Sequence, residues 1–244
     1  MKLDNRVAIV TGGSRGIGKA ISLAFAREGA KIAIVGRDRE RAEEVAAQIV
    51  SSGGEAMGLQ ADVSMEAHVS RIVEQVLCNF GKIDILVNNA GVNIPFRKVV
   101  DLTLDEWNHV VGVNLTGPFL CSRAVLPSMI SQHYGKIINI ASVGGRKGAA
   151  GRTPYRPTKA AIINFTECLA AEVKQHNIDV NAICPGAVET DMLREIRKGK
   201  PPAKGDPPEP VASVAVFLAS EEGAGVTGTA IDVFGSSNPL FRAS

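Results

Sequence analysis

VAIVTGGSRGIGKAISLAF, residues Val7 to Phe25, sets an apolar run, a glycine-rich turn and an amphipathic stretch in direct succession. Val7–Val10 has the β-branched and apolar make-up of a buried strand. Thr11-Gly12-Gly13-Ser14-Arg15-Gly16-Ile17-Gly18 follows, and Gly16–Glu28 then brings Ile17, Ile21, Ala24 and Phe25 onto one helical face. A strand that turns through glycines into a helix gathers unpaired amide donors and the positive end of the helix dipole at one point. Glycines also let the backbone there approach a pyrophosphate closely. The strand–turn–helix context separates this segment from a chance glycine cluster, and it reads as a nucleotide-binding unit.

Outward from this unit, short apolar runs alternate with longer amphipathic ones. Lys31–Val35 is the next strand, and Asp38 caps a helix that buries Ala42, Val45, Ala46 and Ile49. Met57–Gln60, Ile83–Asn88, Lys136–Ile140, Ile178–Cys184 and Ala230–Phe234 read as further strands. Helices are expected at Met65–Phe80, Leu104–Ser131, Thr153–Gln175 and Val211–Ala219. Strict alternation implies right-handed crossovers and a parallel sheet covered on both faces, which also explains why the strands are apolar throughout. The expectation is one α/β domain over residues 1–244, doubly wound around a seven-stranded parallel sheet. Glu189–Pro210 breaks the rhythm with Pro201, Pro202, Pro207, Pro208 and Pro210, and is expected to form a mobile flap over the carboxyl edge of the sheet.

Composition excludes several classes. A chain that is 45% hydrophobic and 21% charged with net charge +2 offers no strong field for nucleic acid or an anionic membrane. Cys78, Cys121, Cys168 and Cys184 lie far apart without metal-ligand spacing, so neither a disulfide framework nor a metal site is expected. They read instead as buried small hydrophobes. Only six residues precede the first apolar run, and no apolar run reaches the ~18 residues of a membrane span. A soluble cytoplasmic protein is the expectation.

The turn spacing is G-x3-G-x-G rather than the general G-x-G-x-x-G. Together with Asn88-Asn89-Ala90-Gly91, Asn114 opening N-x-x-G, Ser142, the Tyr155-x-x-x-Lys159 pair and Pro185-Gly186 with Thr190 beyond, it resembles the classical short-chain dehydrogenase/reductase family along essentially the whole chain. The resemblance implies a Rossmann fold and, among family members, looks most like those that reduce 3-oxoacyl carrier proteins. Sugar or polyol dehydrogenases and reductases of steroid or xenobiotic ketones are similar too. It also implies a nucleotide site drawn from Gly12, Ser14, Arg15, Gly16, Ile17 and Gly18 in the turn, then Asp62-Val63 at the adenine and Asn89, Ala90 and Gly91. Tyr155, Lys159, Pro185, Gly186, Val188 and Thr190 complete it.

Charge selects the nucleotide. NAD-preferring relatives carry an acidic residue at the end of strand two, where this chain has Gly36 and then Arg37. Arg37 and Arg15 can clamp a 2′-phosphate, and Asp38 reads as a helix cap, so NADP(H) is favoured over NAD(H). Tyr155 and Lys159, four residues apart, share one helical face, where the ammonium favours the phenolate of a group whose ordinary pKa is ~10. By resemblance, Tyr155 exchanges a proton with the carbonyl oxygen and Ser142 hydrogen-bonds that oxygen. Lys159 holds the nicotinamide ribose, and Asn114 holds a water in a proton relay. Pro157 inside the motif places the helix start near Thr153 or Pro154.

The substrate side is expected from Ser142, Arg152, Tyr155 and Gly186, within a basic rim of Arg97, Arg146, Lys147, Arg152 and Arg194. Arg152, with help from Arg146, is a candidate clamp for an anionic substrate, or else turns to water or to Glu195. A homotetramer or dimer is expected from apolar residues on the two long helices, including Ile162, Ile163, Phe165 and Leu169. An NAD(H)-dependent dehydrogenase and a nucleotide-binding regulator without turnover are the alternatives.

Overall fold

Along the first strand, β1 (Val7–Thr11), the side chains part to opposite faces of the sheet. Ala8 and Val10 enter one apolar core while Val7 and Ile9 enter the other. The same division recurs in β2 (Lys31–Gly36), where Ile32 and Ile34 oppose Ala33 and Val35. Two buried faces demand apolar residues at every position, which is why the strands show no alternation. The computed structural model describes residues 1–196 and 205–234.

The sheet has seven parallel strands in the order β3-β2-β1-β4-β5-β6-β7. Beyond the first two, these are β3 (Ala56–Gln60), β4 (Ile85–Asn88), β5 (Gly135–Ile140), β6 (Ile178–Pro185) and β7 (Ala230–Val233). One core is closed by α1 (Gly16–Arg27), α2 (Arg39–Ser51) and, later in the chain, a helix at Glu209–Ala219. The other is closed by α3 (Glu66–Phe80) together with the helical stretches between β4 and β6. Strand order reverses between β1 and β4, and loops leaving their carboxyl ends diverge to open a crevice. Every functional motif read from the sequence lies at that edge.

The expected helix Leu104–Ser131 is not uniform. It comprises α4 (Leu104–Val111), a π-helical turn at Gly112–Thr116, and α5 (Gly117–Ser131). Thr103 caps α4 in a reciprocal capping box with Glu106. By length and composition this stretch is apolar enough to cross a membrane, but half of it is buried within the protein, against the sheet and α3. α6 (Tyr155–Val173) begins at the tyrosine itself, so Pro157 falls in the first turn, where its missing N–H leaves no bond unmade.

Part of the expected flap is regular: α7 spans Asp191–Ile196 and α8 spans Glu209–Ala219, so Pro210 is in the first turn of α8. The segment is pinned at its base. Glu189 N donates to Asp206 O at 2.8 Å and Asp206 N to Ala187 O at 2.7 Å, bridging Val188 and Asp206. The remaining flap residues, 197–204, with Pro201 and Pro202, lie outside the described residues.

Two expectations are corrected here. Cys121 and Cys184 are buried as anticipated, but Cys78 and Cys168 are exposed on the outer faces of α3 and α6. Ile162, Ile163 and Leu169 cover the chain's own sheet rather than facing outward, and Phe165 is partly buried against the same cores. The exposed large apolar residues of this region are instead Leu104 and Trp107 on α4 and Phe119 on α5.

Candidate active site

The glycine turn is fastened to the end of β4. Thr11 Oγ1 accepts from the amides of Asn89 and Ala90 at 3.0 and 3.1 Å, while Asn89 Nδ2 donates to the carbonyls of Thr11 and Gly12. Gly12 has φ +63°, and a Cβ there would lie 2.9 Å from Asn89 Nδ2. Gly18 faces the other side of the turn, where a Cβ would come within 2.2 Å of Gly12 O. Gly18 thus sets the approach of α1 to the turn and does not line the cleft.

The cleft above this edge has a volume of about 670 Å³. Its floor is the glycine turn, with Gly12, Ser14, Arg15, Gly16 and Ile17. Its far end is formed by Arg37, Asp62 and Val63, beyond the ends of β2 and β3. Asn89, Ala90 and Gly91 follow β4, and Pro185, Gly186, Val188 and Thr190 close the side beside α7. Ser142, Arg152, Tyr155 and Lys159 form the near end. All the expected cofactor and substrate residues except Gly18 therefore face one space.

At the far end, Asp38 behaves as the cap that was expected. Its carboxylate accepts from Arg41 N at 3.2 Å and pairs with Arg41 Nε at 3.1 Å. Arg37 forms no ion pair with a carboxylate among the described residues. Asp62 Oδ1 accepts from the Ser64 amide at 2.9 Å and hydroxyl at 2.6 Å. Burial opposes its charge, but those bonds, with the charges of Arg37 and His109, hold its pKa below the ordinary carboxylate value. Arg15 lines the floor of the cleft. Its guanidinium reaches across to α7, 3.7 Å from Asp191 and 3.9 Å from Glu195.

At the near end, Lys159 is buried and its Nζ donates to Ile140 O at 2.7 Å. Burial pulls its pKa down to about 8, against a smaller upward effect of Cys184. Its nitrogen stands 5.8 Å from the centre of the Tyr155 ring. For Tyr155, burial is the leading influence and raises the pKa. Ser142, through a hydrogen bond, and the guanidiniums of Arg152 and Arg156 act in the lowering direction. The influences that lower the phenol's pKa thus come from Ser142 and two arginines, and the expected contribution of Lys159 is not among them.

Asn114 lies in the π-helical turn, buried behind the cleft. It accepts from Val92 N at 2.8 Å and donates to Val92 O at 2.9 Å and to Thr158 Oγ1 at 3.3 Å. A Cβ on Gly91 would lie 3.5 Å from Asn114 Oδ1 and 3.6 Å from Lys159 Nζ. The two side chains therefore flank one point, kept open by the glycine.

The basic rim is mostly neutralised. Arg97 pairs with Glu106, and Arg194 with Glu189 and Asp191. Arg146, expected to assist Arg152, is turned to β7, bonded to Asp232 Oδ1 at 3.1 Å and Ala230 O at 2.8 Å. Arg152 does not pair with Glu195 as the alternative had it; its guanidinium lies over the Phe96 ring, 4.2 Å from the centroid. Arg156, to which the sequence reading assigned no role, also lines the cleft. Arg41 at the far end and Met192, Leu193 and Ile196 of α7 also line it.

Residues 6–201 match the family model described as short chain dehydrogenase. The chain belongs to the short-chain dehydrogenase family. This dehydrogenase is 39% identical over 240 residues to a 3-oxoacyl-(acyl-carrier-protein) reductase of Synechocystis, covering 96% of this chain and 97% of that protein. It is 36% identical over 245 residues to a hydroxy(phenyl)methylsuccinyl-CoA dehydrogenase subunit of Thauera aromatica, covering 96% and 97%. A solved 3-ketoacyl-(acyl-carrier-protein) reductase of Brucella melitensis, complexed with NADH, superposes with a TM-score of 0.89 at 35% identity, covering 96% of this chain and 99% of that one. The dehydrogenase is an oxidoreductase that works between a carbonyl and an alcohol.

Proposed function

We propose that this dehydrogenase interconverts a ketone and a secondary alcohol with NADP(H), using Tyr155 as the proton donor and acceptor. The observation that carries the reading is the convergence of Ser142, Tyr155 and Lys159 at one end of a cleft whose other end presents Arg37. The residues fit a dinucleotide. Gly12 and Gly16 line the cleft without side chains, and the close packing of Gly12 and Gly18 against Asn89 and the turn backbone holds the turn tight enough for a pyrophosphate to approach its amides. Gly12, Ser14, Arg15, Gly16 and Ile17 hold the phosphates, Gly18 sets the turn, and Asp62 and Val63 hold the adenine. Asn89, Ala90 and Gly91 support the ribose side, with Pro185, Gly186, Val188 and Thr190 at the nicotinamide. Arg37 takes the 2′-phosphate, since the carboxylate next to it in the chain, Asp38, is engaged by Arg41.

The bound nucleotide supplies hydride to the carbonyl carbon. The protein's own residues manage the oxygen. Ser142 donates a hydrogen bond to it, and Tyr155 transfers its phenolic proton as negative charge develops. Lys159 and Asn114, on either side of the Gly91 gap, carry a water-linked path that returns a proton to the tyrosine. Direct readout follows absorbance of the reduced nicotinamide with a panel of ketones and alcohols. Substrate-dependent oxidation of NADPH is the expected result. Nucleotide binding without turnover against the whole panel would select the regulatory alternative.

The two thioester-acting relatives have similar identities but different acyl groups, so likeness leaves the acyl part open. The enzyme is read as soluble and cytoplasmic, without nucleic-acid or membrane partners. It is also read as a homotetramer. Leu104, Trp107 and Phe119 leave an apolar patch on α4 and α5, and a second copy presenting the same face would cover it. Light scattering should give about four times 25.7 kDa. Glu or Lys at Phe119 should lower that mass, and a monomer at micromolar concentration would refute the assembly.

A further inference from the structure

We infer that Thr166 and Asn139 are positioning residues: their buried hydrogen bond fixes where α6 sits along β5 and so sets the geometry between Tyr155 and Ser142. This rests on the proposed proton transfer by Tyr155 and names what holds that residue in place. Asn139 Nδ2 donates to Thr166 Oγ1 at 2.9 Å, and that hydroxyl donates to Ile162 O, one turn earlier, at 2.7 Å. Asn139 Oδ1 accepts from Asn88 Nδ2 at 2.9 Å, and the same Asn88 amide donates to Ser122 Oγ at 3.2 Å. None of the four residues is more than 3% exposed, and together they join α5, β4, β5 and α6. Every side-chain polar atom of Asn139 and Thr166 is paired. The atom of this chain without a partner among the described residues, Asn88 Oδ1, is one link further from α6.

Apolar contacts are non-directional and specify the register of a helix only loosely, whereas a satisfied polar network in a dry core admits one arrangement. Lys159 and Thr166 are seven residues apart, so both face the sheet at points about 10 Å apart along α6. Lys159 ties the helix to Ile140 O, and Thr166 ties it to Asn139, the residue before. Among the described residues these are the two side-chain hydrogen bonds between α6 and a strand. The proposed chemistry sets Lys159 to work on the ribose and the proton path, so Thr166 is the tie that stays out of the reaction. A further bond of α6, from Asn114 to Thr158 at 3.3 Å, reaches the π-helical turn and not the sheet.

The far end of β5 rests on the same helix. Ser142 follows Asn139 by three residues, and its hydroxyl accepts from Gly144 N at 3.0 Å to start a turn. A Cβ on Gly145 in that turn would come 2.8 Å from the Lys159 carbonyl, so the turn lies directly on the backbone of α6. A slide of α6 along β5 therefore carries Tyr155 and disturbs the turn that holds Ser142. Their mutual hydrogen bond acts to lower the pKa of the phenol, which makes that pKa a gauge of the spacing.

The gauge can be read without substrate, because Tyr134 and Tyr155 are the two tyrosines of the chain. Tyr134→Phe leaves Tyr155 alone, and the Tyr134 hydroxyl has no partner among the described residues to lose. With 3-fluorotyrosine incorporated in that background, fluorine NMR follows the Tyr155 phenol through its titration. Thr166→Val and Asn139→Ala remove the bond from either side, and Thr166→Ser keeps the hydroxyl. Unlabelled enzymes are assayed in parallel with ethyl 3-oxobutanoate and the ketone panel. The Val and Ala variants should lower kcat roughly ten- to hundredfold, with KM for NADPH nearly unchanged. The Tyr155 pKa should rise as the Ser142 bond weakens. Reduction needs the protonated phenol, so the alkaline fall of kcat moves to higher pH. Thr166→Ser should stay close to wild type in both readouts. An unchanged kcat and fluorine titration in Thr166→Val overturns the inference, whatever happens to its melting temperature. Equal damage in Thr166→Ser and Thr166→Val also overturns it, since the hydroxyl would not be the cause. Loss of the folded state in all three variants would make the bond one of stability alone and overturn the positioning role. If the wild type binds NADPH but reduces no ketone, the ketone reading falls while the fluorine titration still decides this one.

Discussion

Tyr155→Phe lowers turnover by about a thousandfold or more while NADPH binds with nearly its original affinity. The ring still fills its position at the head of α6, and the glycine turn that receives the nucleotide makes no use of the hydroxyl. On the proposed chemistry, what disappears is the group that gives the carbonyl oxygen its proton. Ser142 can donate a hydrogen bond but remains a far weaker acid, and Lys159 is directed at Ile140 O. Stopped-flow or steady-state absorbance gives the rate, and quenching of NADPH fluorescence gives the affinity. Near-normal turnover would refute Tyr155 as the acid. A parallel collapse of NADPH binding would mean that the substitution disturbs the site as a whole.

Arg37→Ala weakens NADPH by roughly ten- to hundredfold and NADH by much less, because the two nucleotides differ only in the 2′-phosphate. The size follows from a charge-assisted hydrogen bond lost at an otherwise uncompensated phosphate. Arg41 does not replace it while its guanidinium is paired with Asp38. Fluorescence titration with each nucleotide reads the change directly. Equal weakening would make Arg37 a structural residue and leave the nucleotide choice to other groups. Arg15 is a poorer candidate for the dominant contact, since its side chain leans toward Asp191 and Glu195 of α7.

The parts of this enzyme that were legible in its sequence are those set by neighbours along the chain. The glycine turn, the Asp38 cap and the shared face of Tyr155 and Lys159 each depend on spacings of a few residues, and each is where the sequence placed it. The parallel sheet covered on both faces followed from the alternation and the handedness of crossovers, whereas the strand order came only from the structure. What escaped depends on contacts between distant segments. Arg146 bonds Asp232, 86 positions away, and no local pattern announces that pairing. The outward or inward direction of Ile162 and Leu169 depends on how α6 rotates against β5 and β6. Arg156 was given no role, because only the fold brings it beside Ser142. The π-helical turn left one faint signal, an asparagine in a helix flanked by Gly112 and Gly117.

The parallel bridge between Val188 and Asp206 means that the chain leaves the sheet edge and returns to it at a single fixed point. Among the described residues, α7 hangs from this clasp and leans on the glycine turn through Arg15. A clasped segment can lengthen, shorten or change composition without moving β6 or α8, because neither end has to travel. The proton-handling residues belong to the rigid parts, on strand ends and the first turn of α6, while α7 offers Met192, Leu193 and Ile196 to the cleft from inside the clasp. The fold therefore behaves as a constant engine with an exchangeable cassette. Transplanting residues 189–205 between members of this family should transfer choice of substrate and leave the chemistry where it is.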